Sequence, residues 1–198
     1  MGKFVVKDSF FNKAKKDGYR ARSAYKLLEI QKRYRVVKAG DRVLDLGCAP
    51  GSFLQVLAGL VGPRGFVLGI DIAPVAPLSR PNVAAVAADI LTADIDALRE
   101  PHGIDGFEVV TCDIAPNLSG IREVDDRNRA DLYAAAHAMV LKALKPKGSF
   151  VFKAFFSEDL QPIVRDLKQL FATVALFKPP ASRSVSSEVY LVCTGKKA

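Results

Sequence analysis

From residue 41 onward, short apolar runs alternate with stretches of helical spacing. "RVLDLG" (42–47), "GFVLGID" (65–71), "NVAAVAAD" (82–89), "FEVVTCD" (107–113) and "GSFVFKAF" (148–155) read as five strands. They are near-continuous in apolar character, as strands covered on both faces must be. Between them the spacing predicts a helix over 51–62, a short one over 92–100, a long Ala- and Leu-rich one over 125–146 stopped by Pro146, and one over 158–171. "ATVALFK" (172–178) and "EVYLVCTG" (188–195) follow as two more strands with no helix between them. They are expected to form an antiparallel hairpin through "PPASRSVSS". Short helices over 8–17 and 23–34 precede the sheet. The sum is an α/β fold: a seven-stranded, mostly parallel sheet with its last strand antiparallel and helices on both faces. There is no internal repeat and no linker, so residues 1–198 are expected to form one domain, with an α/β core over 41–198.

Composition changes this picture at one place. The net charge is +8, and residues 1–40 hold 12 Lys and Arg against three acids, while the other 158 residues hold 17 basic and 18 acidic residues. The excess is therefore local to the N-terminal helical segment. Such a patch suits a polyanion, either nucleic acid or an anionic membrane, and a merely solvated basic tail is the bland alternative. No apolar run reaches the length of a membrane span, and "MGKFVVKDSF" has neither a signal core nor a myristoylation motif. Cys48, Cys112 and Cys193 form no CxxC pair, and with only His102 and His137 beside them no metal cluster is expected. These features suit a reducing, cytoplasmic setting.

Candidate chemistry gathers where strands end. In doubly wound sheets ligands bind outside the carboxyl ends of the strands, and four strands here close on Asp45, Asp71, Asp89 and Asp113. "DLGCAPGS" (45–52) is neither GxGxxG nor a Walker A loop, so nicotinamide cofactors and nucleoside triphosphates are disfavoured. Gly47 and Gly51 let a ligand approach the backbone. Asp71 is placed to accept from a ribose diol and Asp89 from an adenine amino group. This layout suits S-adenosylmethionine, with another nucleotide-like cofactor left open. Asp113 is followed by Ile114 and Ala115 rather than a Pro-Pro-aromatic run, which disfavours methylation of exocyclic amines. Cys112 is expected to be a buried structural thiol rather than a nucleophile.

Lys153 interrupts an apolar strand, and a lysine is seldom buried without a task. The neutral alternative is a strand-end lysine that reaches solvent. Glu188 opens the last strand. Lys26 shares a helical face with Glu29 and Arg33, which by periodicity alone is a solvated salt-bridge face.

In this order, "GYRARSAYKLLEI", "VLDLGCAPGSF", "CDIAPNLSG", "FVFKAFF" and "SSEVYLV" resemble the FtsJ-type RNA 2′-O-ribose methyltransferases, over about residues 8–195. The resemblance implies a Rossmann-like methyltransferase fold using S-adenosylmethionine and a Lys-Asp-Lys-Glu tetrad at Lys26, Asp113, Lys153 and Glu188. It also implies cofactor contacts at Gly51, Phe53, Asp71, Asp89 and Asp113. Ser52-Phe53 stands where many relatives have Gly-Trp, so a smaller aromatic platform is expected. In this reading Lys153 takes or steers a ribose hydroxyl proton, and Lys13, Lys15, Lys16, Arg20 and Arg22 bind RNA phosphates. The expected substrate is a uridine of large-subunit ribosomal RNA. The transfer-RNA anticodon loop and a small-molecule or protein substrate are the alternatives.

Overall fold

The computed structural model describes residues 9–115, 119–156, 160–183 and 186–198. Two helices, α1 (Ser9–Lys16) and α2 (Ser23–Tyr34), lead into β1 (Arg42–Leu46), α3 (Ser52–Val61), β2 (Phe66–Asp71), β3 (Val83–Ala87) and α4 (Ile95–Arg99). After a 3₁₀ turn at Glu100–His102 come β4 (Phe107–Cys112), α5 (Arg122–Ala143), β5 (Leu144–Phe155), α6 (Leu160–Leu170), β6 (Phe171–Phe177) and β7 (Glu188–Lys196).

The seven strands form one sheet in the order β3-β2-β1-β4-β5-β7-β6. All pairs are parallel except those of β7, which runs antiparallel to both β5 and β6. The expected hairpin therefore forms, with β7 inserted between β5 and β6. Strand order reverses between β1 and β4, which opens the crevice where such sheets hold ligands.

Strand alternation sends successive side chains to opposite faces. Val43, Val67, Val109, Val151, Tyr190 and Val192 pack against α2 and α3. Leu44, Leu68, Val110, Phe150 and Leu191 pack against α4, α5 and α6. Both faces are covered, and this is why the strands read as unbroken apolar runs. The α1 end is held by a smaller cluster in which Tyr25 meets Ala14 and Ala181 and its ring meets those of Phe10 and Tyr19.

Two expectations shift, and one start lies outside the described residues. The long helix spans Arg122–Ala143, not 125–146, and β5 begins at once at Leu144. Pro146 lies within that strand, at an irregularity: Phe107 pairs with Leu144, but Val109 pairs with Ser149. A proline without an N–H is tolerated where the ladder is already broken. The helix expected from 158 is described from Leu160, its first residues lying outside the described part. Asp45 is not a strand-end acid: β1 closes at Leu46, and Asp45 sits inside the sheet, fully buried, in register with Gly69 and Thr111.

Candidate active site

Four elements meet at the carboxyl edge of the sheet beyond β4. Alternation places Lys153 of β5 on the α2 face together with Val151. Its neighbour across the ladder is Tyr190, and Glu188 lies two residues before Tyr190 on β7, hence on the same face. On α2, Ala24, Leu27 and Ile30 face the core and carry Lys26 inward with them. Lys26 and Lys153 are only 7% and 8% exposed.

Buried ammonium groups must be paired, and these are. Lys26 Nζ lies 2.5 Å from Glu188 Oε1. Lys153 Nζ lies 3.3 Å from Asp113 Oδ1 and donates to the Asp113 carbonyl at 2.7 Å. The Ser182 hydroxyl donates to Glu188 Oε1 at 2.8 Å. Burial pushes the Glu188 carboxyl up, but the Lys26 ammonium and the Ser182 hydroxyl hold it below the usual glutamate value. The solvated-face alternative for Lys26 does not hold, because Glu29 turns elsewhere and accepts from Ala181 N. The structure thus brings Lys26, Asp113, Lys153 and Glu188 into two adjoining ion pairs.

On the other side of the crevice, Gly47, Asp71, Ile72, Asp89, Leu91, Ile114 and Leu132 are among the residues lining a cavity of about 350 Å³. Asp71 closes β2, and its two oxygens accept from Ala49 N and Ala73 N, each at 2.8 Å. Asp89 lies two residues past β3 and accepts from Leu91 N at 2.9 Å. These bonds aim the carboxylates and leave lone pairs to accept from a ligand. Gly47 has φ +75°, and a Cβ there would stand 2.2 Å from Ile114 Cγ1, so no side chain fits. Gly51 caps α3 with φ +104°. A Cβ on Gly51 would meet the Arg20 guanidinium at 2.7 Å.

Two expectations meet a different arrangement. Phe53 is not an aromatic platform: its ring is buried in the core between α3 and the sheet and does not line the cavity. The apolar walls are Ile72 and Leu91 instead, 72% and 58% exposed. Arg20 is not held out toward solvent for a phosphate. Its guanidinium donates to the carbonyls of Pro50, Ala76 and Pro77 at 3.0, 2.7 and 2.9 Å. It braces the loop that carries Gly51 against the loop after β2.

Arg22 similarly reaches the Ala181 carbonyl at 3.1 Å. Of the lysines on α1, Lys13 lies 4.7 Å from the Tyr25 ring centroid, while Lys15 and Lys16 are exposed in the last turn. Cys112 is buried at the end of β4, and burial pushes its thiol up to about 12, as expected of a structural thiol.

The sequence reading missed Tyr190 and the place of Asp45. Tyr190 is fully buried and donates to Asp113 Oδ1 at 2.5 Å. Its two-residue spacing from Glu188 was the available signal. Asp45 Oδ1 accepts from the Thr111 hydroxyl at 2.6 Å, while Oδ2 is buried without a partner among the described residues. Burial raises the Asp45 carboxyl to about 8; the Thr111 bond opposes this, and the nearby Asp113 and Asp71 charges add to it. Pro116, Asn117 and Leu118 of "CDIAPNLSG" lie outside the described residues, as do Ser184 and Val185 before Glu188.

The protein is 43% identical to the ribosomal RNA large subunit methyltransferase E of Myxococcus xanthus, over 100% of this chain and 93% of that one. It is 41% identical to the enzyme of the same name from Desulfatibacillum aliphaticivorans, over 99% and 94% of the two chains. A crystal structure described as a ribosomal RNA methyltransferase from Plasmodium falciparum superposes with a TM-score of 0.79 at 26% identity, covering 90% of this chain and 98% of that one. The FtsJ-like methyltransferase family matches residues 19–196, nearly the whole length, and the chain belongs to that family.

Proposed function

We propose that this protein transfers a methyl group from S-adenosylmethionine to a ribose 2′-hydroxyl of RNA, at a uridine of large-subunit ribosomal RNA. The observation that carries the reading is the pair of buried lysines, Lys26 and Lys153, each matched to a carboxylate at the sheet edge beside a carboxylate-lined cavity. The large-subunit names of relatives about 40% identical over nearly the whole chain support the choice of RNA.

The cavity residues suit the donor. Asp71 offers acceptors for a ribose diol, Asp89 for an adenine amino group, and Ile72 and Leu91 offer flat apolar contact. The side-chain-free backbone at Gly47 and Gly51, where no Cβ fits, suits close approach of the methionine end. Asp113 adds negative charge for a cationic ligand. When bound, the donor supplies a sulfonium methyl that is already activated.

The protein must therefore align the acceptor and remove one proton. A ribose hydroxyl is a weak acid. An ordinary lysine, with a pKa of about 10.4, holds its own proton at neutral pH. Around Lys153 the protein sets the Lys26 ammonium on one side and the Asp113 and Glu188 carboxylates on the other. In this reading Lys153 accepts the hydroxyl proton, Asp113 fixes its position, and the Lys26–Glu188 pair tunes the charge around it. Lys13, Lys15 and Lys16, on the basic N-terminal segment, hold phosphates; Arg20 and Arg22 contribute through the loops they brace.

The test combines labelled methyl transfer with mapping of 2′-O-methyl positions on large-subunit ribosomal RNA and on transfer RNA. A single methylated ribose in the large-subunit RNA is expected. Base methylation, or preferential transfer to transfer RNA, sinks the respective part of the reading. Lys153→Ala should lower turnover by about 10²–10⁴-fold, the usual worth of an acid–base group, with cofactor affinity nearly unchanged.

A further inference from the structure

Tyr190 stands in the middle of this cluster with no part in the mechanism above. It is fully buried on β7, opposite Lys153 in the β5 ladder and beside Phe177 of β6. A buried phenol needs a partner, and here the partner is Asp113. The hydroxyl donates to Asp113 Oδ1 at 2.5 Å. The Lys153 ammonium reaches that same oxygen only at 3.3 Å, and its shorter contact, 2.7 Å, is to the neutral Asp113 carbonyl. Two donors thus address one carboxylate oxygen, and the phenol holds the nearer position. The same ring lies 5.8 Å from Lys26 Nζ. Tyr190 therefore touches both ion pairs.

We propose that Tyr190 is a positioning residue: its hydroxyl occupies Asp113 Oδ1, keeps the Lys153 ammonium from a full ion pair with that carboxylate, and so leaves Lys153 free to give up its proton and receive that of the ribose. The proposal rests on Lys153 acting as the base. The physical reason is competition. A carboxylate that already accepts a short hydrogen bond has part of its charge engaged, and it stabilises a neighbouring ammonium less. The phenol itself does not titrate in the working range. Burial, and then the Asp113 charge, push it well above 10.

Cys112 on β4 and Asp113 just past it, Glu188 and Tyr190 on β7, and Lys26 on α2 are the titratable groups around Lys153. Asp45 on β1 lies beneath, within the field of Asp113. Of these, only Tyr190 donates to the Asp113 carboxylate among the described hydrogen bonds. Removing its hydroxyl lets the ammonium move onto Oδ1, and the proton is then harder to lose.

The experiment is the pH dependence of single-turnover methyl transfer for wild type, Tyr190→Phe, and a chain carrying 2,3-difluorotyrosine at 190, with cofactor affinity and melting temperature measured on each. Tyr190→Phe should move the rising limb of the profile up by about half to one pH unit, the effect of one hydrogen bond of ordinary net strength. The rate near pH 7 should fall about 3–10-fold and recover toward wild type at high pH. The difluoro residue is a stronger donor and should move the limb down. If the limbs coincide, or if the rate falls by the same factor at every pH, Tyr190 is merely structural and the proposal fails. A wild-type chain whose rate does not rise with pH, or that methylates no ribose, overturns instead the Lys153 reading on which it rests.

Discussion

Asp113 and Glu188, at the edge of β4 and β7, each meet a lysine ammonium, whereas Asp71, closing β2, and Asp89, past β3, meet backbone N–H groups and form no ion pair among the described residues. One half of the crevice is charge-compensated within the protein. The other half presents acceptors without cations. A compensated cluster is pre-positioned for chemistry, because its groups need no ligand to hold them in place. An uncompensated one suits a ligand that brings its own donors and positive charge. The division matches where a catalytic group and a cationic cofactor belong in the proposed reaction.

The largest expected break in this comparison comes from unbalancing the compensated half. Lys26→Met leaves Glu188 nearly buried without its cation. It should cost on the order of 3–5 kcal/mol of stability and lower turnover at least about 100-fold. The double change Lys26→Met with Glu188→Gln should recover most of the melting temperature but none of the turnover. Recovery of turnover in the double variant would show the pair to be only scaffolding.

The uncompensated half should respond in binding. Asp71→Asn replaces one acceptor oxygen by an amide nitrogen and removes the charge. Calorimetry should find affinity for S-adenosylmethionine lowered about 10–100-fold, the worth of a hydrogen bond to a charged group. Unchanged affinity would remove Asp71 from the cofactor site.

A smaller effect separates two kinds of basic residue at the N-terminus. Arg20 braces the Pro50 and Ala76–Pro77 carbonyls, so Arg20→Ala should weaken cofactor binding about 3–10-fold, as loss of a positioning hydrogen bond does. The salt dependence of RNA binding should be affected much less. Lys15→Gln with Lys16→Gln should do the reverse. Cofactor affinity should hold, and the log–log salt slope for RNA should fall by about 1–2, near 0.7–0.9 per lost phosphate contact.

A pH-dependent effect of a different kind concerns Asp45, beneath both halves. Its carboxyl is raised from 3.8 to about 8 by burial. The folded chain therefore keeps a proton that the unfolded chain releases near pH 3.8, and stability falls as pH rises from about 4 through about 8. Asp45→Asn lacks this dependence. Its melting temperature relative to wild type should rise between pH 6 and pH 9. A constant difference would mean that Asp45 ionises freely in the fold.

Much of this was legible in the residues. Strand positions followed from unbroken apolar runs, because a sheet covered on both faces tolerates nothing else. The quoted motifs carried the family, and Lys153 stood out as a charge in an apolar strand. Lys26 did not stand out: its helical face also carries Glu29 and Arg33, and periodicity cannot say which side of a short helix is pressed against a sheet. Arg20 and Arg22 looked like phosphate ligands because charge is visible in sequence and carbonyl partners are not. Phe53 looked like a platform, although the helical turn that carries it buries the ring.

By itself the sequence determined which elements form and which residue types reach the carboxyl edge, since periodicity and turn chemistry are local. Only the tertiary structure decided which charges meet. The Lys26–Glu188 and Lys153–Asp113 pairs, and the Tyr190 hydroxyl set against Asp113, depend on strand order, on register and on the docking of α2. These are set by packing between segments up to 162 residues apart, which no local pattern encodes.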